Sequence, residues 1–146
     1  MKYEIEPPPA MELRDRRTAF VLDASALLAM LREEPGAEMV ELVLEHAVMS
    51  TVNWSEVVQK ARFYGVKTAG MRAEVEALGL EIQPFTADDA ESAASLWQHT
   101  KSSGLSLGDR ACLATGERLG LPVLTTDRAW KDLEAGVGIT VELLRG

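Results

Sequence analysis

Strand-like apolar runs alternating with helical segments predict an α/β domain, its parallel sheet covered by helices on both faces. Two further observations bound that reading. At 146 residues the chain can bury one hydrophobic core and is too short for two domains. Its composition, 47% hydrophobic and 26% charged, is ordinary for a globular protein.

The elements follow in order. Residues 19–22 form a brief buried strand ending at Asp23, and a helix over 26–31 runs until Pro35-Gly36 breaks it. Residues 37–46 make a second helix, with Met39, Leu42 and Val43 at helical spacing. A strand at 47–50 leads into a helix from Asn53 to about Tyr64, and a shorter helix over 71–78 is closed by Gly79. Residues 80–85 form the third strand. Thr86-Ala-Asp-Asp89 has the capping-box spacing, in which the first and last side chains each satisfy the other's backbone amide. The long helix after it places Ala90, Ala93, Ala94 and Trp97 on one face. Ser106 opens a helix to about Leu119, punctuated by Gly120 and Pro122. A fourth strand at 123–125, a short helix at 129–134 and a last strand at 139–143 complete the domain, residues 18–146. Residues 1–17 read as a tail, extended by Pro7-Pro8-Pro9.

No apolar stretch approaches the roughly 20 residues that span a bilayer, and residues 1–17 contain no apolar signal core. The lone cysteine, Cys112, cannot form an internal disulfide, which fits a reducing, cytoplasmic compartment. The net charge of −8 argues against a nucleic-acid binder built on clustered cations. Two features weigh against that argument. Two bound dications would offset half the charge, and Lys60, Arg62, Lys67 and Arg72 lie close together, as a local basic patch or as solvated helix faces.

In open α/β sheets the ligand site lies beyond the carboxyl ends of the strands. Four acidic residues fall there: Asp23 after the first strand, Glu56 in the helix after the second, Asp109 in the first turn of the helix opened by Ser106, and Asp127 after the fourth strand. Carboxylates gathered in this way repel and raise one another's pKa unless a positive charge sits among them. A hard dication such as Mg²⁺ meets that need and leaves positions for phosphate oxygens. A pair of ions roughly 3.5–4 Å apart suits phosphodiester hydrolysis. Each residue also has a plain structural reading. Asp23 and Asp127 suit helix caps, Asp109 a capping box with Ser106, and Glu56 a solvated helix position. It is their joint placement that points to a metal site. Ser25, Thr126 and Asn53 stand where they can orient these carboxylates or touch substrate, or serve as caps and turn formers. Arg110 beside Asp109 reads as a phosphate contact or as a solvated or salt-bridged arginine.

Leu22-Asp-Ala-Ser-Ala-Leu-Leu28, Asn53-Trp-Ser-Glu56, Leu105-Ser-Leu-Gly-Asp-Arg-Ala-Cys-Leu-Ala114 and Thr125-Thr-Asp127, in this order and spacing, resemble a PIN domain of the VapC toxin type. The resemblance runs from Phe20 to about Leu144 and omits the tail, which departs from the family's compact start. It implies a three-layer α/β/α sandwich with a five-stranded parallel sheet. It also implies Mg²⁺- or Mn²⁺-dependent endoribonuclease activity, with one or two ions, leaving a 5′-phosphate and a 3′-hydroxyl. Asp23, Glu56, Asp109 and Asp127 fall at the family's acidic positions, and Ser25 where Ser or Thr is common. A homodimer and a cognate antitoxin partner, whose tail inserts toward the acidic site, are implied as well.

Two other classes compete. An aspartyl-nucleophile phosphatase also places Asp after its first strand, but the second position beyond Asp23 is Ser25, not a second Asp, and no suitably placed lysine accompanies it. A receiver domain lacks its acidic pair here. A non-catalytic RNA- or protein-binding module on the same fold would have been favoured by loss of an acidic residue, and none is lost. His46 and His99 read as packing or solvated residues, Cys112 as core, Trp54 and Trp97 as packing anchors, and Phe63 and Tyr64 as a dimer surface.

Overall fold

A computed structural model of the chain describes residues 19–128, 130 and 139–144. The tail at 1–17 and the short helix expected at 129–134 lie outside them, apart from Trp130. Five strands form one sheet: β1 (Val21–Leu22), β2 (Val48–Ser50), β3 (Glu81–Gln83), β4 (Val123–Thr125) and β5 (Val141–Leu143). They are ordered β3-β2-β1-β4-β5, every pairing parallel. The helices are α1 (Ala24–Leu31), α2 (Ala37–Val43), α3 (Thr51–Phe63), α4 (Met71–Ala77), α5 (Ala87–Thr100) and α6 (Leu107–Leu119).

Parallel strands need long crossovers, and helices supply them on both faces. Because side chains alternate across a strand, neighbouring residues feed opposite cores. Leu22, Met49 and Leu124 pack with α1 to α4. Val21, Val48 and Val123 pack with α5 and α6. The expected three-layer sandwich is therefore observed, and the three central strands β1, β2 and β4 are buried on both faces, whereas the edge strands β3 and β5 carry the polar Glu81, Gln83 and Glu142.

The chain builds outward from β1 to β2 and β3, then returns to place β4 on the other side of β1. That reversal opens a crevice between the carboxyl ends of β1 and β4, where this class of sheet binds ligands. Asp23 and Asp127 follow those two strands.

Boundaries differ from expectation where polar caps decide them. The helix after β2 begins at Thr51, not at Asn53, because the Ser50 side chain accepts from the Val52 amide and starts it directly at the strand end. The first helix likewise starts at Ala24, capped by Asp23, and the second ends in a 3₁₀ turn over Leu44–His46. Helix α6 ends as expected at Gly120, whose φ of 65° suits glycine.

The face expected for α5 needs correction. Of Ala90, Ala93, Ala94 and Trp97 only Ala93 is buried, and the inward face is Asp89, Ala93, Leu96 and Thr100. Asp89 closes the capping box with Thr86 and also accepts from Arg118 Nε at 2.8 Å, which pins that side of the helix to α6. Thr100 satisfies its hydroxyl on the Leu96 carbonyl. Trp97 is consequently exposed, with the Lys101 ammonium over its ring, and is no packing anchor. Trp54 is half-buried against the first core. Phe63 and Tyr64 form an exposed edge-to-face pair, and His46 and His99 are exposed. Among the described residues, no helix is long and apolar enough to cross a membrane.

Candidate active site

Asp23 leaves β1 in extended conformation and caps α1. Its Oδ1 accepts from the Ala26 amide at 2.9 Å and from the Ser25 hydroxyl at 2.7 Å, while Oδ2 accepts from the Thr125 hydroxyl at 2.5 Å. The residue is only 5% exposed. Burial raises its carboxyl pKa to about 6 despite the hydrogen bonds from Thr125, Ser25 and Ala26, and the negative charge of Asp109 adds to the rise.

A small hydroxyl network joins this residue to the other side of the crevice. The Thr125 hydroxyl also accepts from the Asp127 amide at 3.0 Å, and the Ser25 hydroxyl accepts from the Thr126 amide at 3.1 Å. Asp127 itself is exposed at the rim.

Glu56 and Asp109 come from the two helices beside the crevice. Asn53, one turn before Glu56 on α3, donates through Nδ2 to Glu56 Oε1 and to the Gly108 carbonyl, each at 2.9 Å. Asp109 forms the capping box with Ser106: Asp109 Oδ2 accepts from the Ser106 amide and Ser106 Oγ from the Asp109 amide. Both readings of Asp109, cap and site residue, are thus compatible in one side chain. Buried Cys112 lies one turn further along α6. Its thiol is pushed well above its usual value by burial, and then by the charges of Asp23, Asp109 and Glu56. Glu56 lies against Gly108 on the first turn of α6, next to Asp109.

Among the described residues, no three His, Cys, Asp or Glu side chains stand close enough to hold an ion together as they are placed. The donor chemistry nonetheless suits a hard dication. All candidate ligands are carboxylate oxygens, and the most buried of them is raised in pKa by burial and by a like charge, both of which a cation would reverse. Their hydrogen bonds use Glu56 Oε1 and Asp109 Oδ2, leaving Oε2 and Oδ1 without a protein hydrogen bond among the described residues.

Other expected positions resolve differently. Thr126 contributes its backbone amide to Ser25, and it is Thr125 whose hydroxyl reaches Asp23. The Thr125 role was not read from the sequence. Its signal is register: Leu22 pairs with Leu124, which sets the next residues, Asp23 and Thr125, side by side. Arg110 is partly buried and makes no salt bridge among the described residues. It donates from Nη1 to the Ala93 carbonyl at 2.9 Å and ties α6 to α5, with Nε buried. Lys60, Arg62, Lys67 and Arg72 are exposed around and beyond the distal end of α3, with Arg62 on Thr68 and Arg72 on Glu76.

The PIN domain profile matches residues 20–136, four-fifths of the chain. The chain belongs to the PIN domain family. Among solved structures this PIN domain is similar to a toxin–antitoxin complex from Klebsiella pneumoniae, at 24% identity, covering 80% of this chain and 91% of that one, with a TM-score of 0.62. It is also similar to FitAcB from Neisseria gonorrhoeae (20% identity, 84% and 96% covered, TM-score 0.64) and to DNA-bound VapBC from Salmonella typhimurium (19%, 88% and 99%, 0.63). At these identities the likeness is one of fold. No curated protein matches the chain.

Proposed function

We propose that this PIN domain is a Mg²⁺- or Mn²⁺-dependent endoribonuclease and the toxin of a VapBC-type pair, acting in the cytoplasm and silenced by a cognate antitoxin. The observation that carries the reading is Asp23, a buried carboxylate at the topological switch point, held on both oxygens and raised in pKa by burial and by Asp109. A helix cap needs none of that burial. The toxin role draws its support from family membership and from neighbours that are toxin–antitoxin complexes.

Asp23, Glu56, Asp109 and Asp127 would hold the ion or ions. The bound cation supplies a nucleophilic water near neutral pH and a counter-charge for the scissile phosphate. The chain's own contribution is placement. Ser25 and Thr125 fix both oxygens of Asp23, Asn53 fixes one oxygen of Glu56, and Ser106 fixes one oxygen of Asp109. Holding reacting groups in this way removes reorganisation from the chemical step. Water adds across the phosphorus–O3′ bond, so the products are a 5′-phosphate and a 3′-hydroxyl.

Mapping RNA ends in cells after induction of the wild-type or Asp23→Asn protein tests the reading and names the target. New 5′-phosphate ends with wild type alone are expected. Identical end profiles would leave the non-catalytic binding module as the better account.

A further inference from the structure

We infer that Asn53 and Gly108 together form a positioning device for Glu56, an inference that rests on the reading of Glu56 as part of the acidic site. Asn53 is 1% exposed on the first turn of α3, and its Nδ2 divides its two hydrogens between Glu56 and the Gly108 carbonyl. Glu56 belongs to the same helix, whereas Gly108 lies on the first turn of α6, next to Asp109. One amide therefore fixes Glu56 relative to the helix that carries the neighbouring carboxylate.

Gly108 provides the seat. A Cβ at this position would stand 2.4 Å from Glu56 Oε1 and 2.7 Å from its Cδ. Only a bare Cα lets the carboxylate lie against the helix there. Gly108 has no positive φ, so backbone conformation does not call for glycine here.

The amide has a single workable orientation. Exchanging its oxygen and nitrogen would set Oδ1 against two acceptors, Glu56 Oε1 and the Gly108 carbonyl. In the orientation adopted, Oδ1 is buried with no partner among the described residues. An aliphatic side chain of similar size would avoid that penalty if packing were the only task. A glycine that the backbone does not require and an under-satisfied buried amide thus meet at one carboxylate. Such departures from local preference concentrate at functional sites.

The test compares Asn53→Leu, which keeps the branched outline of the side chain, removes its amide and does not weaken the helix, with Gly108→Ala, which favours the helix but obstructs the seat. Each is made in the wild-type and Glu56→Ala backgrounds. Binding of Mn²⁺ alone is followed by calorimetry, RNA cleavage by kcat/KM, and folding by thermal midpoint. Each single variant is expected to weaken Mn²⁺ binding and cleavage by roughly 10- to 100-fold. In the Glu56→Ala background the further loss should be under about 2-fold, the non-additivity of groups acting as one unit. The same large loss without Glu56, or Mn²⁺ affinity unchanged by both single variants, overturns the positioning role. If Glu56→Ala alone leaves Mn²⁺ binding and cleavage at wild-type levels, the acidic-site reading fails first and the inference falls with it.

Discussion

The Thr125 hydroxyl donates to Oδ2 of Asp23 over 2.5 Å, across the point where the two halves of the sheet diverge. Thr125 Oγ1 in turn accepts from the Asp127 amide. One hydroxyl thus links the two strand ends that frame the crevice. Thr125→Val keeps the β-branched shape and strand propensity but removes this link. It should lower RNA cleavage by roughly 10- to 100-fold, as expected for loss of a group that orients a ligand. Thr125→Ser should recover most of the rate. Steady-state cleavage of the three proteins checks this, and a fully active valine variant would remove Thr125 from the site.

Burial of Asp23 has a consequence for stability in the absence of metal. With its pKa at about 6 in the folded chain against 3.8 ordinarily, the folded protein retains a proton that the unfolded chain releases. Stability contributed by protonated Asp23 is therefore present at about pH 4 and lost as pH rises toward 6. The loss is on the order of 3 kcal/mol. In metal-free protein, the thermal midpoint of wild type should fall across this window relative to Asp23→Asn, whose amide has no proton to release. Parallel midpoint curves for the two proteins would contradict the assignment.

Arg118 and Asp89 secure α5 to α6. Arg118 donates to Asp89 and to the Gln83 side chain, joining α6, α5 and β3. Burial tends to raise the Asp89 pKa, but the Thr86 amide and the Arg118 guanidinium outweigh it, and the carboxyl lies below its ordinary value. The stability that ionised Asp89 contributes is present above its ordinary pKa and lost in acid, as pH falls through the lowered value. Arg118→Met leaves Asp89 buried without its cation and should cost about 1–3 kcal/mol at pH 7. Chemical denaturation measures the loss, which should shrink in an Asp89→Asn background.

Much of the architecture was legible because its signals are local. Pro35-Gly36, Gly120 and the two capping boxes punctuate the chain wherever tertiary context leaves the backbone little choice. The face of α5 was not legible. An alanine stripe buries so little area that its periodicity is a weak guide, and the helix instead turns to satisfy Asp89 with an arginine 29 residues away. The positions of Asp23 and Asp127 at strand ends and of Asp109 at a helix start could be read because local signals mark those boundaries. What holds them was only partly readable. Asn53 is local to Glu56 and could be anticipated, but the partnership of Asp23 with Thr125 spans 102 residues and depends on register. The tie from Arg110 to the Ala93 carbonyl was not readable either, because it joins two helices across 17 residues.

The central claim is that these carboxylates make a divalent-metal site that cuts RNA. The most direct measurement is the cleavage rate of a structured RNA by purified, metal-stripped protein, with Mn²⁺ restored or withheld, for wild type and Asp23→Asn. Cleavage by wild type that appears with Mn²⁺, disappears with EDTA and is lost in a folded Asp23→Asn protein is the expected result. Cleavage that persists in EDTA and in the Asp23→Asn protein would contradict it.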